Sequence, residues 1–382
     1  MIQQVTEKFH ALFGKTPLIV RSPGRINLIG EHTDYNNGFV MPAAIEKCII
    51  YGVALNGTQT CNVHAMYNGE TKSFALDNVV PTPGWINYLM GVVNQLQERG
   101  HVVPGFDCVL HGDVPPGAGL SSSAAVEGGL VMALDELGGY GLSRIDMALI
   151  GQKAEHTFPG VMCGIMDQFA NLHGKKNQVI MLDCRSLEFQ YFPFEFPDYK
   201  IVLVNSMVHH SHASSEYNVR RQQCEEGVAV MQALYPGVLS LRDATIDKLN
   251  AVKDKISEVV YRRCSFMIEE IARVQVAGPL LEKGDLSQFG RLMYQAHEGL
   301  SKGYEVSCPE LDLLVELAKH RPEVAGARMM GGGFGGCTIN LVMSNSVPDF
   351  VAYIQERYRK ETGKVAEVYV TTIQDGTAVE RV

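Results

Sequence analysis

The sequence lacks the features that mark membrane proteins, disulfide-bonded proteins and clustered zinc sites. No stretch of about 18 apolar residues occurs, so no segment predicts a transmembrane helix. The nine cysteines are odd in number, widely spaced and without a Cys-x-x-Cys pair, which argues against a disulfide framework and a zinc or redox motif. Free cysteines suit a reducing compartment, so a cytoplasmic location is expected. Glu7 and Lys8 stand where a secretory signal would need apolar residues.

An excess of positive charge is also missing. With 33 Lys and Arg against 42 Asp and Glu, the net charge is −9, which argues against non-specific binding to nucleic acid or to an anionic membrane. Backbone amides and a metal ion can still hold an anionic nucleotide, because they set the local field. The 382 residues contain no repeat or long linker, and nothing in them indicates an obligate protein partner. A chain of this length favours about two domains.

Apolar residues follow strand and helix periods in a mixed order, without the regular alternation of a βαβ fold. This order predicts the α+β class. An amphipathic helix is expected at the start of the chain around Val5 and Phe9, and residues 214–318 are expected to be mostly helical. Residues 21–38 are rich in turn formers and charges, which predicts an irregular segment. A change of domain is expected near residues 190–200, although no linker marks it.

The most informative motif is PPGAGLSSSAA at residues 115–125. Its small residues let backbone amides approach phosphate oxygens, and three serines follow where a helix begins. The helix N-terminus adds free N–H donors and the positive end of the helix dipole. One serine would suffice as a helix cap, so three favour a phosphate site, and the absence of Gly-Lys-Ser/Thr excludes a Walker A loop. The expected cradle comprises Gly117, Ala118, Gly119, Leu120, Ser121, Ser122 and Ser123.

A second motif, GRINLIGEHTDYNNG, spans residues 24–38. It crowds carboxylates, an imidazole and a phenol into one turn, at Glu31, His32, Asp34 and Tyr35. Forks of carboxylate and imidazole recognise sugar hydroxyls. The alternative is a solvated surface loop, but the apolar residues that lead into the turn indicate that it is anchored.

A third motif, MMGGGFGGCTI, spans residues 329–339 and formally contains Gly-x-Gly-x-x-Gly at Gly331, Gly333 and Gly336. A dinucleotide-binding dehydrogenase would need a helix after the last of these glycines, whereas residues 338–343 are strand-like. We therefore expect a glycine loop between two strands that lets the backbone approach a ligand. A tight hairpin without a ligand is the alternative.

In this order the three motifs resemble those of the galactokinase branch of the GHMP small-molecule kinases. The motif at residues 24–38 is similar to the galactokinase signature, and those at residues 115–125 and 329–339 are similar to motifs shared across the GHMP kinases, so the sugar assignment rests on residues 24–38. CGIMDQ and SEYNVRRQQC also resemble galactokinase segments. One departure is AAVEGG after the serines, where a Ser-Leu pair is commoner. The resemblance covers essentially the whole chain.

The resemblance implies a fold and a reaction. The fold is an N-terminal domain like domain 2 of ribosomal protein S5 at residues 1–195 and a ferredoxin-like domain at residues 196–382, with the active site in the cleft between them. The reaction is transfer of the γ-phosphoryl group of ATP to the C1 hydroxyl of galactose, the first committed step of galactose catabolism. ATP and galactose are then the expected partners.

The resemblance also implies roles for the catalytic and metal-binding residues. Asp167 would accept the hydroxyl proton, although its own pattern reads as a mid-helix aspartate, which is more often solvated. Arg25 would keep Asp167 ionised and offset charge on the phosphoryl group. Ser123 and Glu155 would bind Mg²⁺, which takes few protein ligands and keeps waters.

Further residues match the substrate contacts of the family. Trp85 and Tyr88 correspond to an aromatic pair near adenine, although such a pair also suits an ordinary core. A histidine-rich stretch at His209, His210 and His212 has the composition of a metal site, but without other ligands it predicts a polar loop near the cleft. The sugar contacts implied by the resemblance are Glu31, His32, Thr33, Asp34, Gly164 and Tyr217.

Two other functions remain open within this resemblance. A kinase for a related sugar such as N-acetylgalactosamine would need a roomier pocket, which the sequence does not display. A galactose-sensing protein without turnover is the other alternative. The presence of Arg25, Ser123, Glu155 and Asp167 argues against such a sensor.

Overall fold

The computed structural model describes residues 1–208 and 213–381, and within them the chain forms three β-sheets and eleven α-helices. Short 3₁₀ turns lie at Asp34–Asn36, Leu241–Asp243, Lys253–Lys255 and Ser344–Ser346, and a π-helical turn lies at Gly299–Gly303. The strands are β1 (Leu18–Asn27), β2 (Phe39–Val40), β3 (Pro42–Leu55), β4 (Thr60–Ala65), β5 (Glu70–Ala75), β6 (Phe106–Gly112), β7 (Gln178–Asp183), β8 (Phe189–Pro193), β9 (Tyr199–Asn205), β10 (Val324–Met329), β11 (Cys337–Met343), β12 (Glu367–Thr371) and β13 (Ala378–Glu380). The helices are α1 (Ile2–Phe13), α2 (Ile86–Glu98), α3 (Ser122–Gly138), α4 (Arg144–Thr157), α5 (Met166–His173), α6 (Ala213–Leu234), α7 (Ile246–Asn250), α8 (Glu258–Glu282), α9 (Leu286–Glu298), α10 (Pro309–Lys319) and α11 (Val347–Thr362).

The largest sheet has six strands in the order β13-β1-β3-β6-β4-β5. Successive residues of a strand face opposite sides, so β1, β3 and β6 supply two cores. Val5 and Phe9 of α1 pack on one face, which confirms the amphipathic N-terminal helix. Helices α2 to α5 cover the other face and bring the phosphate motif and Asp167 to the same side of the sheet. A short sheet of order β2-β7-β8 lies beside it.

The second large sheet has four antiparallel strands in the order β10-β11-β9-β12. With α10 and α11 packed on one face, its chain path reads strand, helices, two strands, helix, strand, which is the ferredoxin-like arrangement. Mixed sheets and helices confirm the α+β class. The other face shares the main core with the first sheet through Ile201, Leu203 and Ile339.

The expected division at residues 195 and 196 corresponds to the approach to β9, the first strand of the second sheet. The end of the chain departs from that division, because β13 pairs with β1 in the register Ile19 to Glu380. The final strand therefore belongs to the first sheet rather than to the second. The helices α6 to α8, with the turn before α10, form a fourth buried cluster beside the signature turn.

The expectation of an irregular segment at residues 21–38 is wrong for its first part. Strand β1 continues to Asn27, with a shift of register between Pro23 and Arg25. A Cβ atom at Gly24 would lie 2.7 Å from the Leu120 carbonyl oxygen, so the strand reaches the phosphate loop only because this residue is glycine. The turn formers mark a bulge inside a strand, and Arg25 stands on that strand as a rigid base.

The loop between Met329 and Thr338 confirms the expected strand, glycine loop and strand. β10 and β11 are antiparallel neighbours, and a strand rather than a helix follows Gly336. This geometry excludes a dinucleotide-binding βαβ unit at the glycine motif.

The sequence also predicted a polar loop with three histidines and no transmembrane helix. His209, His210 and His212 lie outside the described residues. Across residues 1–208 and 213–381, every helix is too short or too polar to cross a membrane.

Close packing of α9 on β10 leads to a test of the fold. A Cβ atom at Gly290 would lie 1.8 Å from the Ala325 carbonyl oxygen, so we expect Gly290→Ala to lower the free energy of unfolding by about 1–3 kcal/mol. Alanine favours helices, so helix propensity acts in the opposite direction. Urea unfolding measures the effect. The matched control is Gly237→Ala, where a Cβ would meet nothing within 4 Å. Equal stability of the two variants would contradict the tight α9–β10 contact.

Candidate functional site

The three glycine-rich motifs meet at one point. Gly24 touches the Leu120 carbonyl, as described above. A Cβ atom at Gly331 would lie 3.2 Å from the Gly119 carbonyl oxygen, and one at Gly119 would lie 3.2 Å from the Met330 carbonyl oxygen. The backbones of the signature, the phosphate loop and the glycine hairpin are therefore in direct contact, which side chains at these positions would prevent.

A buried carboxylate joins the signature turn to the glycine hairpin. Glu31 accepts hydrogen bonds from the Gly331 N–H at 2.8 Å and from Arg328 Nη2 at 3.0 Å, both at Oε1, and from Asn27 Nδ2 at 2.9 Å at Oε2. Arg328 is fully buried and also donates to the Leu28 carbonyl at 2.8 Å. Glu31 lines the small cavity described below, but these three donors hold it in place.

Arg25 and Asp167 form a two-pronged ion pair. Arg25 Nε lies 2.8 Å from Asp167 Oδ1, and Nη2 lies 2.9 Å from Oδ2. The third nitrogen of Arg25 donates to the Gly119 carbonyl at 2.5 Å, and the Ser121 hydroxyl donates to Asp167 Oδ2. Burial alone would lower the pKa of Arg25, but Asp167 and Glu31 raise it overall. Such a forked pair fixes both side chains in one orientation.

The backbone supports this pair from both sides. Asp167 lies in the first turn of α5 rather than in mid-helix, which corrects the sequence expectation, and the helix dipole there favours a negative charge. Ser121 precedes α3 with a φ of 56° and makes no capping hydrogen bond. Its hydroxyl points to Asp167 instead. A serine held in this left-handed conformation stores strain at a functional position.

A cavity of about 120 Å³ opens beside the ion pair. Thr33 does not reach it, because its hydroxyl faces the carbonyls of Gly30 at 2.9 Å and Phe39 at 2.5 Å and closes the turn from inside. Of the six expected sugar contacts, the structure therefore brings five together. The expected residues that line the cavity are Glu31, His32, Asp34, Gly164, Tyr217, Arg25, Asp167 and Glu155.

Asp34 is a buried carboxylate whose pKa is strongly raised. Burial, and after it the charge of Asp167, raises the pKa of Asp34 to about 7. The backbone N–H of Tyr35 donates to it at 3.0 Å. A Cβ atom at Gly164 would lie 2.0 Å from the Asp34 carboxyl carbon, so glycine alone allows this approach.

His32 ends a chain of buried hydrogen bonds that the sequence did not indicate. Its Nδ1 is 2.8 Å from the Tyr35 hydroxyl, which is 2.7 Å from the Tyr304 hydroxyl, which is 3.2 Å from Cys224 Sγ. Burial lowers the pKa of His32 to about 3, so the ring is neutral. Because Nε2 faces the Gly332 carbonyl at 3.2 Å, it carries the proton, and Nδ1 accepts from Tyr35.

A larger cavity of about 480 Å³ lies on the other side of the phosphate loop. Trp85 and Tyr88 line it together with Gly117, Ser122 and Ser123, so the aromatic pair is a cavity wall rather than core. Trp85 is half-buried and donates through Nε1 to Glu70 at 2.9 Å. Tyr67 also lines this cavity, and no sequence signal pointed to it.

Ser123 lines the larger cavity and Glu155 the smaller one, and Ser123 is close enough to Glu155 to act against the rise in the pKa of its carboxyl group. Burial, and after it the charge of Asp167, raises the pKa of Glu155 to about 7. A hydroxyl and a carboxylate oxygen fit Mg²⁺, a hard cation that keeps waters and binds phosphate oxygens. Within residues 1–208 and 213–381, no group of three or more His, Cys, Asp or Glu side chains forms a metal cage.

Comparison with known proteins places this site in a family. A model of the galactokinase galactose-binding signature matches residues 7–55, the GHMP kinase N-terminal domain matches residues 87–175, and the GHMP kinase C-terminal domain matches residues 278–360. The chain is 38% identical to a galactokinase of Roseiflexus sp. (strain RS-1) over 98% of this chain and 96% of that one. It is 40% identical to a galactokinase of Homo sapiens over 99% of this chain and 96% of the relative.

Solved structures are similar over the same length. The structure of Lactococcus lactis galactokinase complexed with galactose matches with a TM-score of 0.94 and 36% identity over 98% of both chains. Mevalonate kinase of Methanococcus jannaschii matches with a TM-score of 0.67 and 18% identity over 94% of this chain and 99% of that one. The second similarity is one of fold alone.

The raised pKa of Asp34 predicts a pH-dependent stability. An unfolded aspartate loses its proton near pH 4, whereas folded Asp34 keeps it to about pH 7, so its contribution is lost as the pH rises through this window. Asp34→Asn cannot ionise, and we expect it to gain up to about 4 kcal/mol relative to the wild type between pH 4 and 8. Thermal unfolding without ligands measures this, with exposed Asp254→Asn as control. Parallel pH profiles of wild type and Asp34→Asn would contradict it.

Proposed function

The chain belongs to the galactokinase family of the GHMP kinases, and from this premise we propose how its residues bring ATP and galactose together. The enzyme transfers the γ-phosphoryl group of ATP to the C1 hydroxyl of galactose, giving galactose 1-phosphate and ADP. The observation that carries the assignment of residues is the forked pair of Arg25 and Asp167, which lies beside the small cavity and against the phosphate loop.

The larger cavity takes ATP. Its apolar and aromatic walls at Trp85 and Tyr88 suit the adenine ring, and it is also lined by Gly117 of the phosphate loop and by Ser122 and Ser123 at the start of α3. The N-terminus of this helix has no side-chain cap, so backbone N–H groups are left for phosphate oxygens. The γ-phosphoryl group then points toward Asp167, which Ser121 connects to the loop.

The smaller cavity takes galactose. Asp34 and Glu31 offer carboxylate oxygens, His32 and Tyr217 form an aromatic wall with ring centroids 5.0 Å apart, and Gly164 leaves room for Asp34. A volume of about 120 Å³ favours a plain hexose over one with a 2-acetamido group. This observation favours galactose over N-acetylgalactosamine, the runner-up substrate.

Asp167 accepts the proton of the C1 hydroxyl as that oxygen attacks the phosphoryl group. Arg25 holds Asp167 in place through the forked pair and offsets charge on the transferring group, since phosphoryl transfer depends on position and electrostatics. Neutral His32 adds no positive charge that would compete with Arg25. These complete catalytic side chains argue against a galactose sensor without turnover.

Ser123 and Glu155 hold Mg²⁺ in this proposal. When bound, the ion supplies positive charge that stabilises the phosphate oxygens of ATP during transfer. Glu155 must lose its proton to bind the ion, and its pKa of about 7 makes this ionisation sensitive to pH near neutrality.

The cysteines and the net charge of the chain bear on the location of the enzyme and on its binding partners. All nine cysteines are free thiols, which supports a reducing cytoplasm as the location. The net charge of −9 argues against nucleic acid or an anionic membrane surface as a binding partner of the enzyme.

Substrate choice tests the proposed function directly. Buried groups such as Asp34 that pair with galactose hydroxyls are left unpaired by glucose, the C4 epimer. We expect kcat/KM for galactose to exceed that for glucose by up to about 10⁴-fold. A coupled ADP-release assay across galactose, glucose and N-acetylgalactosamine measures this ratio. Comparable values for galactose and glucose would refute the assignment, and a preference for N-acetylgalactosamine would support the runner-up.

Removal of the proposed base separates catalysis from binding. Trp85 is the only tryptophan, so its emission reports ATP in the larger cavity. We expect Asp167→Asn to keep this ATP-dependent change and to lose turnover by about 10²–10⁴-fold. The matched control is Asp349→Asn, which removes an exposed aspartate from the first turn of α11. Near-normal turnover by Asp167→Asn, with both substrates bound, would show that the base lies elsewhere.

A further inference from the structure

One buried carboxylate next to the proposed metal ligands has no role in the reaction described so far. Glu127 lies on α3, one turn after Ser123, and its exposed fraction is 0%. Burial, and after it the charge of Glu155, raises the pKa of Glu127 well above its usual range. Within residues 1–208 and 213–381, its Oε1 atom has no hydrogen-bond partner. An unsatisfied buried oxygen costs folding free energy, so its presence calls for an explanation in function.

Gln168 connects Glu127 to the metal ligand Glu155. Its Nε2 donates to Glu127 Oε2 at 3.0 Å and to Glu155 Oε2 at 2.9 Å, and the side chain is 1% exposed. An amide nitrogen carries two hydrogens, and the two carboxylate oxygens use both because they lie much closer to Nε2 than Cys163 Sγ does at 4.0 Å. The opposite orientation would turn the amide oxygen toward two carboxylates. Glu127 thus determines which end of Gln168 faces Glu155.

This arrangement leaves one oxygen of Glu155 free of Gln168. Because Oε2 accepts from Gln168 Nε2, Oε1 is the oxygen that the amide leaves to the ion. A ligand held in one orientation binds a metal more tightly than a rotating one, because less conformational entropy is lost. Asp167, the proposed base, directly precedes Gln168 on α5, so the same helix turn carries the base and the bridging amide.

We propose that Glu127 is a positioning residue of the reaction, which orients the Gln168 amide so that Glu155 presents Oε1 to Mg²⁺. The inference rests on the proposed function, because it takes Glu155 as a metal ligand. A purely structural role is disfavoured by the unpartnered Oε1. A leucine of similar volume would fill the same buried space and would leave no polar atom unsatisfied there.

The test uses three variants that separate hydrogen bonding, charge and packing. Glu127→Leu removes the acceptor for Gln168 and keeps the volume, Glu127→Gln keeps an acceptor oxygen without a charge, and Gln168→Leu removes the bridge. ATP binding is followed by Trp85 emission without galactose while MgCl₂ is titrated, and thermal unfolding is measured without ligands. Neither measurement depends on turnover.

We expect Glu127→Leu to raise the Mg²⁺ concentration at half-effect by about 10–100-fold and to leave the Tm unchanged or higher. Glu127→Gln should stay close to the wild type. The double variant Glu127→Leu/Gln168→Leu should be no worse than either single one, because the two residues act in series. An unchanged Mg²⁺ midpoint in Glu127→Leu, a lowered Tm in that variant, or additive single effects would each overturn the proposal.

The outcome also distinguishes this inference from the function on which it rests. If Mg²⁺ has no effect on ATP binding in the wild-type protein, the metal assignment of Ser123 and Glu155 fails. If Mg²⁺ acts in the wild type and Glu127→Leu responds equally, only the positioning role fails. A Glu127→Gln variant as impaired as Glu127→Leu would overturn the orientation argument in favour of a simple charge effect.

Discussion

The buried Glu31 carboxylate is the constraint on which the site depends. It ties the signature turn to the glycine hairpin through Arg328 and the Gly331 N–H, although Glu31 and Arg328 are 297 residues apart in sequence. Removing one partner of such a buried pair typically costs about 3–5 kcal/mol, because the other charge stays buried and uncompensated. This junction holds His32 and Gly332, which both line the cavity, close to each other.

Around the junction of Glu31 with Arg328, the protein places more carboxylates than it pairs with cations. Asp34, Glu127 and Glu155 have raised pKa values because of burial, with neighbouring carboxylates as a further cause. Among the described residues that line the cavity, Arg25 is the one arginine or lysine, and it pairs with Asp167. The folded chain without ligands therefore carries an electrostatic cost that a bound Mg²⁺ ion would relieve. This is the trade of stability for function that is common at active sites.

The glycines of the three motifs have a common purpose beyond turn formation. Gly24, Gly119 and Gly331 let three backbone segments touch, and Gly164 lets Asp34 approach. Contacts between backbone segments therefore fix the positions of the functional side chains at the site. Arg25 gains its fixed position in the same way, since it stands on β1 and reaches the Gly119 carbonyl.

The sequence predicted those elements of the fold that have a long hydrophobic period or a strong local motif. The helix at Val347–Thr362, the strand after Gly336 and the start of α3 follow from patterns within one segment. Strands such as β5, which is almost wholly exposed, and the short β13 carry no such pattern, because their pairing partners lie far away in sequence. The turn-forming residues within 21–38 also led to the prediction of an irregular segment where the bulged end of β1 lies.

The sequence by itself determined the chemistry of the motifs, because neighbouring residues supply a phosphate loop or a crowded polar turn wherever the chain runs. Only the tertiary structure decided which groups meet. It paired Arg25 with Asp167 across 142 residues, turned Thr33 inward to the backbone and placed Glu127 against Gln168. The physical reason is that contacts between distant segments depend on strand order and helix packing, which the pattern of any one segment does not contain.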